Sequence, residues 1–244
     1  MTAIKINNLR KEYKDITAVD GISLEIKEGE LFSLLGINGA GKTTTIKMLS
    51  TLTEPSGGDA QIYGCSILND KNKVKEIIDI SMQETAVARK LTVEENIEFY
   101  AKLSGLDANQ TENAKKYIYE VFGLDTVKNK QAQKLSGGWQ RKLSIALALV
   151  SQPKVLFLDE PTLGLDVIAR RELWKTISSL KGKMTVILTT HYMEEAEALS
   201  DRIGIIKDGK LLFVGTKQEL FSQTGKQSVE DAFVHIVSGG DFDA

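Results

Sequence analysis

The sequence predicts an α/β fold: a mainly parallel sheet, an antiparallel β subdomain beside it, and an inserted helical subdomain. Three observations carry that reading. Short apolar runs at 31–35, 154–158 and 184–188 read as strands buried on both faces, with helical patterns between them. Three amphipathic helix patterns then follow one another from Thr92 with no strand between them. Finally, the first buried strand runs straight into Gly36-Ile37-Asn38-Gly39-Ala40-Gly41-Lys42-Thr43-Thr44, and a helix pattern follows. Strand, glycine-rich turn, Gly-Lys-Thr and helix form the context of a phosphate-binding loop.

In chain order, 3–7 and 22–26 alternate apolar and polar residues and read as strands with one solvated face. Glu28-Gly29-Glu30 turns the chain into the strand before the loop. Gly57-Gly58 reads as a second turn, followed by a short strand at Gln61-Ile62-Tyr63. Thr92 and Glu95 match a capping box, and Val93, Ile97, Tyr100 and Ala101 share one face of the helix they open. Gly105 is placed to end it. Ala114, Tyr117, Ile118, Val121 and Phe122 form the face of a second helix, stopped by Gly123. A third helix runs from about 136 to 150. A helix over 167–180 and a short one over 194–199 flank the strand at 184–188. Strands at 202–207 and 210–214 enclose Asp208-Gly209, a type I′ hairpin signal. Short helical patterns fill the tail from Gln218, and 238–244 is expected to fray.

The 244 residues are 42% hydrophobic and 26% charged, with a net charge of −2. That composition is globular and gives no sign of general nucleic-acid binding. A single cysteine, Cys65, excludes an internal disulfide and fits a reducing compartment. With no histidine near it in sequence, Cys65 reads as a packing residue. There is no signal-peptide pattern, and the longest apolar stretch, 145–150, is far too short to cross a bilayer. The chain is therefore expected to be soluble, with any membrane part supplied by another chain.

The chemistry follows from residue types. Gly36, Gly39 and Gly41 allow successive backbone N–H groups to turn inward toward an anion, facing the positive end of the next helix. Lys42 adds a point charge for β- and γ-phosphates. The hydroxyl of Thr43 is placed to ligate Mg²⁺. The strand at 154–158 stops at two acids, Asp159 and Glu160. In phosphate-loop enzymes the strand beside the loop presents an Asp to the Mg²⁺ shell, a role Asp159 fits. Glu160, where the strand ends, is free to turn toward the γ-phosphate and accept a proton from water. Leu135-Ser136-Gly137-Gly138 opens the third helix as another anion-binding terminus.

The loop at 36–44, then Leu-Ser-Gly-Gly, then Asp-Glu-Pro, resembles the ATP-binding subunits of ABC transporters, and the resemblance runs from Lys5 to about Val237. It implies one ATPase domain over 1–240. Its nucleotide-binding core with the β subdomain would take 1–83 and 151–217, the helical signature subdomain 84–150, and the tail 218–244. ATP and Mg²⁺ are the implied cofactors. By position, Tyr13 is implied to stack on adenine, although packing against the core is a competing role for a tyrosine there. Gln83 is implied to touch Mg²⁺ and link the core to the helices. Gly164-Leu165-Asp166 matches the loop that crosses a dimer interface, and Asp166 also suits the N-cap of the next helix. His191 matches the switch histidine that bonds the γ-phosphate and steadies Glu160. His235 is left as structural. Ser136, Gly137 and Gly138 are implied to contact the ATP of an opposite subunit.

Two positions depart from the family pattern. Trp139 stands where Gln is common, and Val167 where Pro is common. The run from Ala169 to Trp174 and the tail Val229-Glu230-Asp231-Ala232-Phe233 look like the branch that exports drugs, lipids or peptides; Arg170-Arg171 reads equally as a solvated helix face. The resemblance thus implies an export ATPase, cytoplasmic and peripheral at the inner face of the membrane. Its partners would be integral-membrane permease chains and a second ATPase subunit, identical or not, with no nucleic acid. An importer ATPase, and a soluble ABC ATPase of translation or DNA repair, are the alternatives. The second usually needs two ATPase halves or a long coiled coil, for which 244 residues leave no room.

Overall fold

The computed structural model describes residues 1–239. Its elements run β1 (Thr2–Tyr13), β2 (Ile16–Lys27), β3 (Leu31–Leu35), α1 (Lys42–Leu49), β4 (Gly57–Ile62), β5 (Cys65–Ser66), α2 (Lys71–Ile77) and β6 (Ile78–Ser81). They continue with α3 (Val93–Leu103), α4 (Ala108–Phe122), α5 (Gly137–Leu147), β7 (Val155–Asp159), α6 (Val167–Ser178), β8 (Thr185–Thr190) and α7 (Met193–Leu199). The last four are β9 (Arg202–Lys207), β10 (Lys210–Gly215), α8 (Lys217–Thr224) and α9 (Val229–Ser238). The expected fraying of 238–244 falls largely outside the described residues. Among the described residues no helix is long and apolar enough to cross a membrane.

Two sheets form. One is antiparallel, in the order β2-β1-β4-β5. The other has the order β10-β9-β3-β8-β7-β6; only its edge pair, β9 and β10, is antiparallel. The mainly parallel sheet and its antiparallel neighbour are the expected fold class. The strand order corrects one expectation: β7, which carries Asp159, does not adjoin the loop strand β3, because β8 lies between them. Asp159 still reaches the loop, because parallel strands all release their C-terminal ends at the same edge.

β1 and β2 are longer than the alternation implied. Bulges interrupt the pattern: the β1–β2 register shifts between Ile6 and Leu9, where Asn8 takes φ +48°. Gly57-Gly58, expected as a turn, instead begins β4. Gly58 has φ +71°, and a Cβ there would lie 2.1 Å from the Asn8 carbonyl oxygen. The glycine thus allows β4 to approach the bulge of β1. The capping box of α3 is present, with Thr92 accepting from the Glu95 N–H and Glu95 reaching back. Gly123 ends α4 in the left-handed conformation. Asp208 and Gly209 both have positive φ, 48° and 76°, as a type I′ turn requires.

Three apolar clusters fill the interior of the described residues. One joins α3, α4 and α5 to a face of the parallel sheet through residues such as Ile97, Ile118, Leu143 and Leu156. A second lies between the two sheets around α1, and half-buried Cys65 packs against it. The third joins Leu35, Ile203 and Phe213 to Val229 and Phe233 of α9.

Asp79 on edge strand β6 is an acid held against its preference. Burial pushes its pKa up from 3.8 to about 6, although it accepts bonds from Ile80 N–H and Ser151 Oγ. The folded protein therefore binds a proton that the unfolded chain has lost between about pH 4 and 6, so this group's contribution falls as pH rises through that window. Asp79→Asn keeps the bond from Ile80 N–H, reverses the other so that the amide donates to Ser151 Oγ, and removes the titration. It is expected to stabilise the protein by about 2 kcal/mol near neutral pH, with the gain in Tm shrinking as pH falls toward about 4. Equal gains at both pH values would contradict the assignment.

Candidate phosphate-binding site

Leu35 ends β3 in the middle of the sheet, and the chain must turn sharply to enter α1. The loop is tightly enclosed. A Cβ on Gly36 would lie 2.5 Å from the Ile206 carbonyl oxygen, and one on Gly41, φ +105°, 2.4 Å from that of Ala18. Gly41 is the N-cap of α1, so the start of that helix opens toward the loop. Lys42 is buried, and its ammonium donates to the carbonyls of Gly36 (2.8 Å) and Ile37 (3.1 Å). The same Nζ lies 3.3 Å from Glu160 Oε1.

β7 and β8 deliver the acids and the histidine. Asp159 is fully buried; its Oδ1 accepts from Thr43 Oγ1 at 3.0 Å and Thr189 Oγ1 at 2.5 Å. Glu160 takes φ +46°, which bends the chain out of the strand and turns its carboxylate toward the loop. Its N–H bonds both the carbonyl and the hydroxyl of Thr189, which holds this conformation. His191 Nδ1 lies 2.8 Å from Glu160 Oε2. One carboxylate thus bridges an ammonium and an imidazole. Residues 38–44, Gln83, Glu160 and His191 line one cavity of about 390 Å³. The loop, Gln83, Asp159, Glu160 and His191 come together as the sequence indicates. Gly36 and Ile37 contribute carbonyls behind Lys42 rather than cavity wall.

The donor set fits Mg²⁺. Asp159 Oδ2 is buried without a hydrogen-bond partner among the described residues, on the carboxylate whose Oδ1 accepts from the hydroxyl of Thr43, a residue that lines the cavity. A small hard cation that takes one or two protein oxygens and completes its shell with water and phosphate suits this arrangement. No cluster of three or more His, Cys, Asp or Glu able to hold a metal occurs among the described residues.

Two expected participants stand apart. Tyr13 ends β1 with 44% exposure, with Lys11 over its ring at 5.0 Å, and does not line the cavity. Ser136 caps α5 and makes no side-chain capping bond. Ser136 and Gly138 line a separate cavity of about 240 Å³ with Trp139, Lys142 and Asp166. There Lys142 lies 4.8 Å from the Trp139 ring centroid and pairs with Glu172 at 2.9 Å, so the tryptophan faces a cation. Asp166 caps α6, accepting from Ile168 and Ala169 N–H groups at 2.9 Å.

Sequence reasoning missed Arg141. It is 3% exposed and donates to four carbonyls: Pro161 (2.7 Å), Met82 (2.5 Å), Gln83 (3.3 Å) and Asp159 (3.0 Å). The signature helix is thereby fastened to the segment carrying Gln83 and to the end of β7. Burial lowers its pKa to about 10, which leaves it charged at neutral pH. The signal was present: Arg141 lies on the same helix face as buried Ile145 and Ala148.

A family model described as ABC transporter matches residues 19–163. The chain is 36% identical over 246 residues to the probable multidrug ABC transporter ATP-binding protein YbhF of Escherichia coli K12, covering 98% of this chain. It spans 42% of the length of YbhF. It is 40% identical over 227 residues to the linearmycin resistance ATP-binding protein LnrL of Bacillus subtilis 168, covering 93% of this chain and 73% of LnrL. A dimeric post-hydrolysis structure of the ATP-binding cassette MJ0796, bound to ADP and Pi, superimposes with a TM-score of 0.77 at 26% identity. That match covers 87% of this chain and 98% of MJ0796.

Proposed function

The chain belongs to the ABC transporter family, and from that premise we propose that it is the ATP-binding and ATP-hydrolysing subunit of an exporter. The observation that carries this reading is the placement of Glu160 between Lys42 and His191, facing the phosphate loop across one cavity. The triphosphate lies along the N–H groups of 38–44, the part of the loop that lines the cavity, with Lys42 on its β- and γ-phosphates. Thr43, Asp159 and Gln83 would hold Mg²⁺, which when bound would neutralise phosphate charge. Glu160 accepts the proton of the attacking water, and His191 keeps that carboxylate aimed while bonding the γ-phosphate. Tyr13 lies outside the phosphate cavity, where an aromatic suits the adenine base.

Hydrolysis takes two chains. Ser136, Gly137 and Gly138 open a helix whose cavity is separate from the phosphate-loop cavity of the same chain. A twofold arrangement would place each signature over the other chain's γ-phosphate, with the loop ending at Asp166 crossing between them. The dimeric state of MJ0796 supports this geometry. In this reading 84–150 acts as the signature-bearing arm, and 1–83 with 151–217 as the core. The names of YbhF, a probable multidrug transporter ATP-binding protein, and LnrL, a resistance ATP-binding protein, support export over import. A separate permease chain in the membrane, with this subunit at its cytoplasmic face, completes the proposed assembly.

Lys42→Ala tests the site. ATP turnover is expected to fall by about 10²-fold or more, with the far-UV circular dichroism of the parent retained. Parent-rate turnover by folded Lys42→Ala would overturn the assignment.

A further inference from the structure

Glu195 on α7 is fully buried, yet it carries no part in the chemistry above. Its Oε1 accepts from Thr162 Oγ1 at 2.8 Å and from Trp174 Nε1 at 2.9 Å, while Oε2 is buried with no hydrogen bond of ordinary geometry among the described residues, although the Thr190 hydroxyl and the Arg170 guanidinium lie near the carboxyl. A carboxyl with an unpartnered oxygen is costly in a core, and an apolar side chain would fill the space at less cost. The position of its two bonds explains what it does.

Thr162, also fully buried, follows Glu160 with only Pro161 between them. Pro161 has a ring-fixed φ, and its carbonyl is held by Arg141. Glu195 sits in the first turn of α7, which begins just after His191. The connections close a ring. It runs from Glu160 through Pro161 to Thr162, crosses to Glu195, returns along α7 to His191, and crosses from Nδ1 back to Glu160. A second strap lies beside it: the Arg170 guanidinium sits 4.3 Å over the Tyr192 ring, whose centroid is 4.1 Å from that of His191.

We propose that Glu195 is a positioning residue for hydrolysis, which clamps the segment after Glu160 to the helix after His191 so that base and switch histidine keep their mutual placement. The proposal rests on the ATPase reading above. The Thr162 bond belongs to the ring; the Trp174 bond ties the same oxygen to α6 and lies outside it. The two bonds therefore predict different consequences.

Steady-state ATPase kinetics, bound-nucleotide stoichiometry and thermal unfolding of the full chain separate them. Thr162→Val is expected to lower kcat by about tenfold, because small displacements of reacting groups carry large rate costs. KM for ATP and stoichiometry should stay within about twofold of the parent. Glu195→Ala should behave in the same way, and Glu195→Gln, which keeps the Oε1 acceptor, should recover most of kcat. Trp174→Phe should lower Tm while kcat stays within about twofold. Parent-rate turnover by Thr162→Val overturns the proposal, whether or not Glu195→Ala folds. Losses of kcat that follow loss of Tm across both Thr162→Val and Trp174→Phe also overturn it, since they indicate a structural role alone. A parent protein that neither binds nor hydrolyses ATP would instead overturn the ATPase reading, and this proposal with it.

Discussion

Glu160→Gln is expected to bind ATP like the parent and to hydrolyse it at least about 10²-fold more slowly, the usual scale for removing a general base. Glutamine keeps the size of the side chain. Its amide oxygen still accepts from Lys42, which lies 3.3 Å from Oε1, and its other atom still faces His191 Nδ1. What it loses is the ability to take a proton from water. Lys42 remains anchored on the carbonyls of Gly36 and Ile37, so the phosphate loop keeps its charge. Binding and turnover should therefore separate cleanly. Phosphate release measured beside titration with a fluorescent ATP analogue checks this. Turnover at the parent rate would mean that Glu160 is not the base.

Arg141→Met is expected to cost roughly 3 kcal/mol or more, because charged donors lost from four buried carbonyls are not replaced. For a chain of this size that corresponds to a fall in Tm of about 10 °C. The apolar methionine recovers part of the loss through burial, so the carbonyls of Met82, Gln83, Asp159 and Pro161 account for what remains. Turnover should fall as well, because the same guanidinium holds Gln83 and the end of β7. Thermal unfolding followed by circular dichroism reads the first effect. A Tm within about 2 °C of the parent would show that the four bonds contribute little net stability.

Much of the site was legible because its chemistry is local. The phosphate loop needs glycines, a lysine and a threonine in one short run, and β3 was read with its observed ends. Capping at Thr92, Gly123 and Asp166, and the Asp208-Gly209 turn, are likewise set by neighbouring residues. What depends on distant contacts was not legible. The bulge at Asn8 hid the length of β1, and the close approach it permits turned Gly57-Gly58 from an apparent turn into part of a strand. No element is legible over 65–81: β5 is two residues long, and α2 buries only Val74 among lysines. The insertion of β8 between β3 and β7 follows from crossovers that local periodicity does not encode. Arg141 shares a helix face with buried Ile145 and Ala148, but which carbonyls it holds, and why Glu195 is buried, depend on how distant elements pack together.

The central claim is that ATP joins two copies of the site, each completed by the Ser136 helix of the other. Light scattering coupled to size-exclusion chromatography of Glu160→Gln tests it most directly. With ATP and Mg²⁺ the measured mass is expected to double, and with ADP it should remain that of a single chain. Adding Ser136→Arg, which fills the signature cavity, should abolish the doubling. Glu160→Gln remaining a single chain at saturating ATP and high protein concentration would contradict the claim.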